Sequence, residues 1–414
     1  MYAVNVQLNL IKNMATRSTF YLNAPSLGSA TAAFSNNDLT VCAPDGFYSD
    51  GTIVRQQVGC GLLPQQTCPT CSVPCTNSVI NANGRGFYAL NLNAGTAIGA
   101  IIIRFNPQEI PNGIRALFNS NTYNKLTSPV DGLHRSTNVS NFTFIGKTSS
   151  DCGISGTTYP ILDERLYNGT AFVSTGSTQS VTVAAGDVSL SAVAPDNCMM
   201  VIPKSTASPS IINLQMASPC TGAIWSMTAP CPVLLTGFSS SSVFASSALA
   251  CVAAKNQTYY NASLDNTPGI IDVFDFVYSD NVGVSQLSNG FYASNSIAGG
   301  ANWFQVTSGV VVAVGNCGIP FSSTSVQTTS TLACGATRTE TYYAATSTIT
   351  TGSSVYSNIN LVTALPNGFY TSNNLTGGQW FQVTSGVITA VGNCGVLITL
   401  CFGTTTVDVC CDCV

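Results

Sequence analysis

The chain has 414 residues, only 7% of them charged and 45% hydrophobic, with a net charge of -4. That hydrophobic share is enough for packed cores and, without high charge, excludes a disordered chain. No basic face is available to neutralise phosphates, which excludes a nucleic-acid partner, and the apolar runs fall far short of the ~20 residues of a membrane-spanning helix, so no membrane insertion is expected.

The start, MYAVNVQLNLIKN, has neither a basic leader nor an apolar run, so no secretory signal is expected. Residues 1–76 read as a small N-terminal β module, with Asp45-Gly46 as a turn before Phe47-Tyr48. The module ends in Cys60, Cys68, Cys71 and Cys75, four thiols within 16 residues. Such density suits a four-thiolate zinc site, two local disulfides or free thiols, and zinc is the weakest of these readings.

Residues 77–232 read as a larger β domain. Gly86 to Leu92 alternates as a strand, Ala100 to Phe105 is a buried strand stopped by Asn106-Pro107, and later strands fall at 197–203, 211–216 and 223–227. Many short strands with Gly, Pro and Asn turns and no 3.6-residue periodicity predict a sandwich or jelly roll, with no helix longer than two turns. His134 is the single histidine. It follows Asp131, but no nucleophile motif accompanies it, so no catalytic role is expected. Cys220 and Cys231 bracket the last strand and are candidates to pair with each other.

Residues 233–318 and 319–396 are two repeat modules. Asn289–Gly318 and Asn367–Gly395 are identical at 22 of 29 aligned positions, which marks a duplicated unit. Each copy reads as an antiparallel meander. Asn-Gly opens it, Phe-Tyr starts a strand, Gly-Gly turns, Trp-Phe-Gln-Val alternates as a half-buried strand, and Ser-Gly turns again. Both copies end in Gly-Asn-Cys-Gly. Cys251 with Cys317, and Cys334 with Cys394, recur once per module and are candidates to close it, the alternative being a link between neighbouring modules or chains. Asp265, Asp272, Asp275 and Asp280 lack the residue order of a calcium loop and read as loop carboxylates. A weaker third copy is expected at 33–48, with Gly59-Cys60-Gly61 in the place of Gly-Asn-Cys-Gly. Residues 397–414 form a Cys-rich tail. The fold class expected is all-β: small antiparallel modules around a jelly-roll or sandwich-like domain.

Three stretches carry a resemblance. Ala43 to Ser49 is followed by Val54-Arg55-Gln56 and Leu62-Leu63-Pro64. Gly99 to Pro107 is followed by Ile110-Pro111. Met199 to Lys204 is followed by Ala207-Ser208-Pro209, then by Pro219-Cys220 and Ala223-Ile224-Trp225. With the Gly-Phe-Tyr and Trp-Phe-Gln-Val modules, these resemble virion structural or fibre proteins of marine tailed phages, of the cyanophage type. The resemblance implies a non-enzymatic appendage of head, neck or tail, without cofactor or catalytic residues, on the exterior of a virion. It also implies other virion proteins as partners and a host surface glycan as a further contact. The high cysteine count agrees with a protein made in a reducing cytosol and later exposed outside the cell.

The expected chain is elongated, with its modules as beads. So few charges cannot guard strand edges, so self-association is expected, as a homotrimer by the same resemblance. Trp303, Phe304, Trp380 and Phe381 are the expected interface. A capsid decoration protein is the nearest alternative; a glycan-degrading tailspike or a bacterial adhesin is further off.

Overall fold

The computed structural model describes residues 2–8, 17–49, 53–67, 72–147, 161–184 and 186–395. Among them the structure is almost all β; the α-helices are the single turns Ser247–Cys251 and Ser330–Gly335. Two compact units divide the chain. One is Met1–Gly237 with Tyr259–Leu287, the other Phe238–Thr258 with Ser288–Val414. This division runs through the expected first repeat module, 233–318.

Eight strands of the first unit form a two-sheet sandwich. They are β1 (Gly86–Asn93), β2 (Gly99–Asn106), β3 (Asn112–Phe118), β4 (Lys125–Ser128), β5 (Gly132–Arg135), β6 (Thr143–Gly146), β7 (Cys198–Lys204) and β8 (Ile211–Ser218). One sheet runs β1-β8-β3-β6 and the other β5-β4-β7-β2, with every neighbouring pair antiparallel. The period-2 pattern explains the two faces of β8. Ile212, Leu214 and Met216 are buried, while Asn213 and Gln215 face outward and bond sideways, Asn213 to Asn91 at 2.8 Å and Gln215 to Arg115 at 2.7 Å. Across the core, Leu90, Leu92, Leu214 and Met216 share one cluster with Ile101, Ile103, Phe105, Met200, Ile202 and Trp225. Each such side chain contributes roughly 1.5–3 kcal/mol on burial. Ile161–Tyr167 lies parallel on β1, and Phe172–Ser180 pairs with its far side.

A hairpin frame recurs three times, at 33–48, 277–292 and 355–370. Ser35, Ser279 and Ser357 each donate their N–H to the carbonyl six residues on, at 2.8 Å in all three. The next residue, Asn36, Asp280 or Asn358, uses its side-chain oxygen to accept loop N–H groups. Leu39, Gly283 and Leu361 take positive φ at one equivalent position. Tyr48, Tyr292 and Tyr370 each donate their hydroxyl to the carbonyl four residues back, and so does Tyr88 at the start of β1. Asp45, Asn289 and Asn367 then accept the N–H of Gly59, Ser308 and Ser385, which closes the following turn.

The third copy therefore exists as a hydrogen-bond frame, with one correction. Gly59-Cys60 occupies the place of the Ser308-Gly309 and Ser385-Gly386 turns, not of Gly-Asn-Cys-Gly. The register agrees: Phe47 faces Gln56 as Phe291 faces Gln305 and Phe369 faces Gln382. Arg55 stands where the modules have Phe304 and Phe381, and its guanidinium bonds the carbonyls of Leu27, Ala30, Leu62 and Leu63.

The second module closes on itself. Ile319–Ser323, Glu340–Ala344 and Val355–Tyr356 pair in that order. Val355 and Ser353 bond Gly386 and Ile388, joining this sheet to Val387–Gly392, Trp380–Thr384 and Gly368–Thr371. Phe369 and Gln327 then exchange both backbone bonds, at 2.9 and 3.0 Å, four residues past the end of Ile319–Ser323, which brings the chain back beside its starting strand. A closed ring leaves no long edge unpaired. Thr329 caps Ser330–Gly335 by accepting from Leu332 N–H, and that turn presents Cys334 to Cys394 with Cα atoms 5.5 Å apart. Ser246, Cys251 and Cys317 repeat the arrangement, again at 5.5 Å.

The frame makes a direct expectation. Asn367→Ala leaves the Ser385 N–H without its acceptor at a positive-φ turn, and should cost about 1–2 kcal/mol in denaturant unfolding. Tyr370→Phe should cost about 1 kcal/mol. Wild-type unfolding curves for both variants would show that the clamp contributes nothing.

Candidate functional site

The four expected interface aromatics do not act together. Phe304 and Phe381 are wholly buried, stacked on Tyr292 and Tyr370 at 5.2 and 5.3 Å between centroids. They are core, so their assignment to an interface with another chain is corrected: alternation along Trp-Phe-Gln-Val points the phenylalanine inward and the tryptophan outward. Trp303 and Trp380 are half-buried, edge-on to Phe291 and Phe369 at 5.7 Å. Each tryptophan covers Gly315 or Gly392, where a Cβ would collide with the indole. That contact explains the first glycine of Gly-Asn-Cys-Gly.

The cysteines are sorted by three-dimensional distance. Cys60 joins Cys42 and Cys75 joins Cys231, so neither is available to a four-thiolate zinc site. Cys68 and Cys71, the other two candidates, lie outside the described residues, as does the tail 397–414. Cys220 is disulfide-bonded, but not to Cys231. The expected Cys220–Cys231 pair is thus corrected: Cys75 follows a strand beside β1 and meets Cys231 across 156 residues of sequence, a proximity that local spacing does not reveal. Cys251–Cys317 and Cys334–Cys394 are the disulfides of the repeat modules. Cys198 is a free, buried thiol on β7, and burial pushes its pKa up to about 12.

The acidic group consists of loop fasteners. Asp275 is buried and accepts from Leu264 N–H, Asn261 Nδ2 and Asp272 N–H at 2.9, 2.9 and 3.1 Å. Asp265 accepts from Ser263 and Thr267, and Asp280 holds the 282–285 turn. Among the described residues, no group of three or more His, Cys, Asp or Glu is placed to hold a metal ion.

His134 has a partner that the sequence reading missed. Ser189 Oγ lies 2.6 Å from His134 Nδ1, brought there by the parallel pairing of Val188–Leu190 with β6. Asp131 Oδ2 is 3.9 Å from Nε2, too far for a hydrogen bond, and both atoms are buried without a partner among the described residues. Burial lowers the histidine pKa. Without a carboxylate bonded to the ring, the imidazole is not oriented as a triad requires.

A further cleft of about 280 Å³ lies in the first unit. Its walls are Lys125 of β4 and Tyr123 just before it, Val201 and Pro203 of β7, Tyr278 and Gln286 of the 277–292 hairpin frame, and Phe276 beside it. Lys125 Nζ donates to Gln286 Oε1 at 3.2 Å and lies 5.2 Å from the centre of the Phe276 ring. No protein-family model, curated protein or solved structure matches the chain.

The thiol inventory is directly measurable. Alkylation of the folded, unreduced chain followed by peptide mapping should leave Cys198 unmodified, with labelling only after denaturation. The same map should recover a Cys75–Cys231 crosslinked peptide. Rapid labelling of Cys198 in the folded chain would contradict its burial.

Proposed function

We propose that the chain is a non-enzymatic structural protein of a tailed-phage virion, forming an appendage on the particle exterior. The observation that carries this reading is the strand order of the sandwich. Numbered along the chain, the two four-stranded sheets run 1-8-3-6 and 5-4-7-2. We read this as the double Greek key of a jelly roll, an architecture of viral coat and lectin domains. Its union with duplicated, disulfide-closed modules and few charges agrees with the family resemblance. Fold alone does not carry function, so the location on a particle is the deciding measurement. Antibody raised against the purified chain should label the outside of intact virions at discrete appendages. A label spread over the capsid would favour a decoration protein, the reading next in line because jelly rolls also build coats. Absence of the chain from purified virions would overturn both.

The assembly proposed is a homo-oligomer, a trimer by resemblance; Phe304 and Phe381 are internal, so of the repeat aromatics only Trp303 and Trp380 face outward, and those half-buried. A better candidate is the strand Phe172–Ser180. It pairs on one side with Ile161–Tyr167 and, among the described residues, has no strand on its other side. Its sequence, FVSTGSTQS, carries no charge to guard that edge, and Val173 and nearby Ile161 are 52% and 63% exposed. Light scattering of the purified chain should report an oligomer. Val173→Lys with Thr178→Lys should reduce it to monomer without loss of folded signal; a wild-type chain that is monomeric at micromolar concentration would defeat the assembly.

A further inference from the structure

The cleft beside Lys125 has the composition of a binding site. Pockets that take small molecules combine aromatic walls with a few placed polar groups. Here Tyr123, Phe276 and Tyr278 supply the walls, and Lys125 and Gln286 the polar groups. The cleft opens to solvent at Val284 and Gln286, which are exposed. Its volume of about 280 Å³ sits at the low end of ligand pockets, which suits one ring with its substituents rather than an extended chain.

Its charge is positive. Lys125 pairs in register with Arg135 on β5, and both burial and this neighbour bring the ammonium down to about 8. An incoming anion offsets both effects, because it restores a favourable field to a partly desolvated cation. A neutral ligand does neither.

The loop that completes the cleft differs from its two structural copies where it matters. Gly283, in the left-handed region at φ 82°, brings the loop against the sandwich, where an added Cβ would lie 3.4 Å from Ala100 Cβ and 3.5 Å from Val201 Cγ1. The equivalent positions hold Leu39 and Leu361, and Gln286 is matched by Cys42 and Ala364. The hydrogen-bond frame is common to all three copies; this glycine and glutamine belong to one. The frame alone therefore does not require them.

We propose that this cleft binds a carboxylate-bearing monosaccharide of the uronic-acid class, with Lys125 meeting the carboxylate, Gln286 a hydroxyl, and the half-buried Tyr123 the C–H face of the ring. The site stands on its own geometry. It deepens the host-glycan contact that the resemblance implies and rests on the virion reading only for the source of the sugar.

The test is titration of the purified full chain with sodium glucuronate, glucose and sodium acetate by calorimetry. Glucuronate should bind saturably, at least about ten-fold more tightly than glucose or acetate, a difference worth roughly 1.4 kcal/mol. Lys125→Met should lose about ten-fold or more and Lys125→Arg should retain most of the affinity. Gln286 is exposed, so Gln286→Ala keeps the fold and should weaken binding several-fold, which covers the case of a misfolded Lys125 variant. Affinity should also fall as pH rises through about 8. Within the cleft Tyr123 and Tyr278 are held above the usual phenol range by burial, and Asp280 on the same loop, although partly desolvated, is held below the usual carboxylate range by the N–H groups it accepts, so Lys125 is the group that changes. Absence of saturable glucuronate binding, equal binding of glucose, or no effect of either substitution would overturn the site. None of these outcomes bears on whether the chain sits on a virion, which the particle label decides separately.

Discussion

Unpaired strand edges are the constraint to which the rest of the structure answers. A chain with 13 basic and 17 acidic residues cannot protect its edges with charge, the usual device of β proteins. The second module meets the constraint by closure: its strands form a ring in which Phe369 and Gln327 exchange the last pair of backbone bonds. Within that ring Phe381 of Trp-Phe-Gln-Val is an internal residue. The charge-free edge Phe172–Ser180 has no such closure among the described residues.

Closure depends on turns that hold their shape without a large core. The frame around Gly-Phe-Tyr supplies them through side-chain acceptors. An Asn or Asp satisfies loop N–H groups, a tyrosine hydroxyl satisfies a carbonyl, and a second Asn or Asp satisfies the next turn. Each bond contributes only about 1 kcal/mol, but leaving its partner buried and unpaired costs more. The N-terminal copy keeps these bonds while replacing the central phenylalanine with Arg55 and the following valine with Gln57. Gln57 is fully buried and bonded to the backbone of Ala33 and Ala43. The frame survives a change of core from apolar to polar because the two are satisfied by different atoms. That separation also lets the loop between Asp280 and Gln286 vary its surface while its backbone stays the same.

Local pattern by itself determined much of this. Period-2 alternation set the strands and the inward side of the sandwich, and Asn-Gly, Gly-Gly and Ser-Gly set the turns of the duplicated meanders. The recurrence of one early cysteine and of Gly-Asn-Cys-Gly in each module marked Cys251 with Cys317, and Cys334 with Cys394, as candidates to close it. These features depend on residues near each other in sequence, so their chemistry is readable there. The third copy was half legible: its Gly-Phe-Tyr was recognisable, but its turn was misassigned, because Gly59-Cys60 resembles Gly-Asn-Cys-Gly in composition and Ser-Gly in position.

Tertiary structure alone decided which distant atoms meet. Cys75 reaches Cys231 and Ser189 reaches His134 because sheet pairing carries a strand back to a partner far along the chain, and Lys125 reaches Gln286 across 161 residues because the loop at Gly283 packs on the sandwich. The facing of Trp and Phe was legible as alternation, but which of them would be core required knowing that the sheet curls into a closed ring. The physical reason is common to all these cases. Hydrogen bonding within a turn is satisfied by neighbours a few residues away, whereas strand order, and every site built between strands, is selected by burial of the whole core at once.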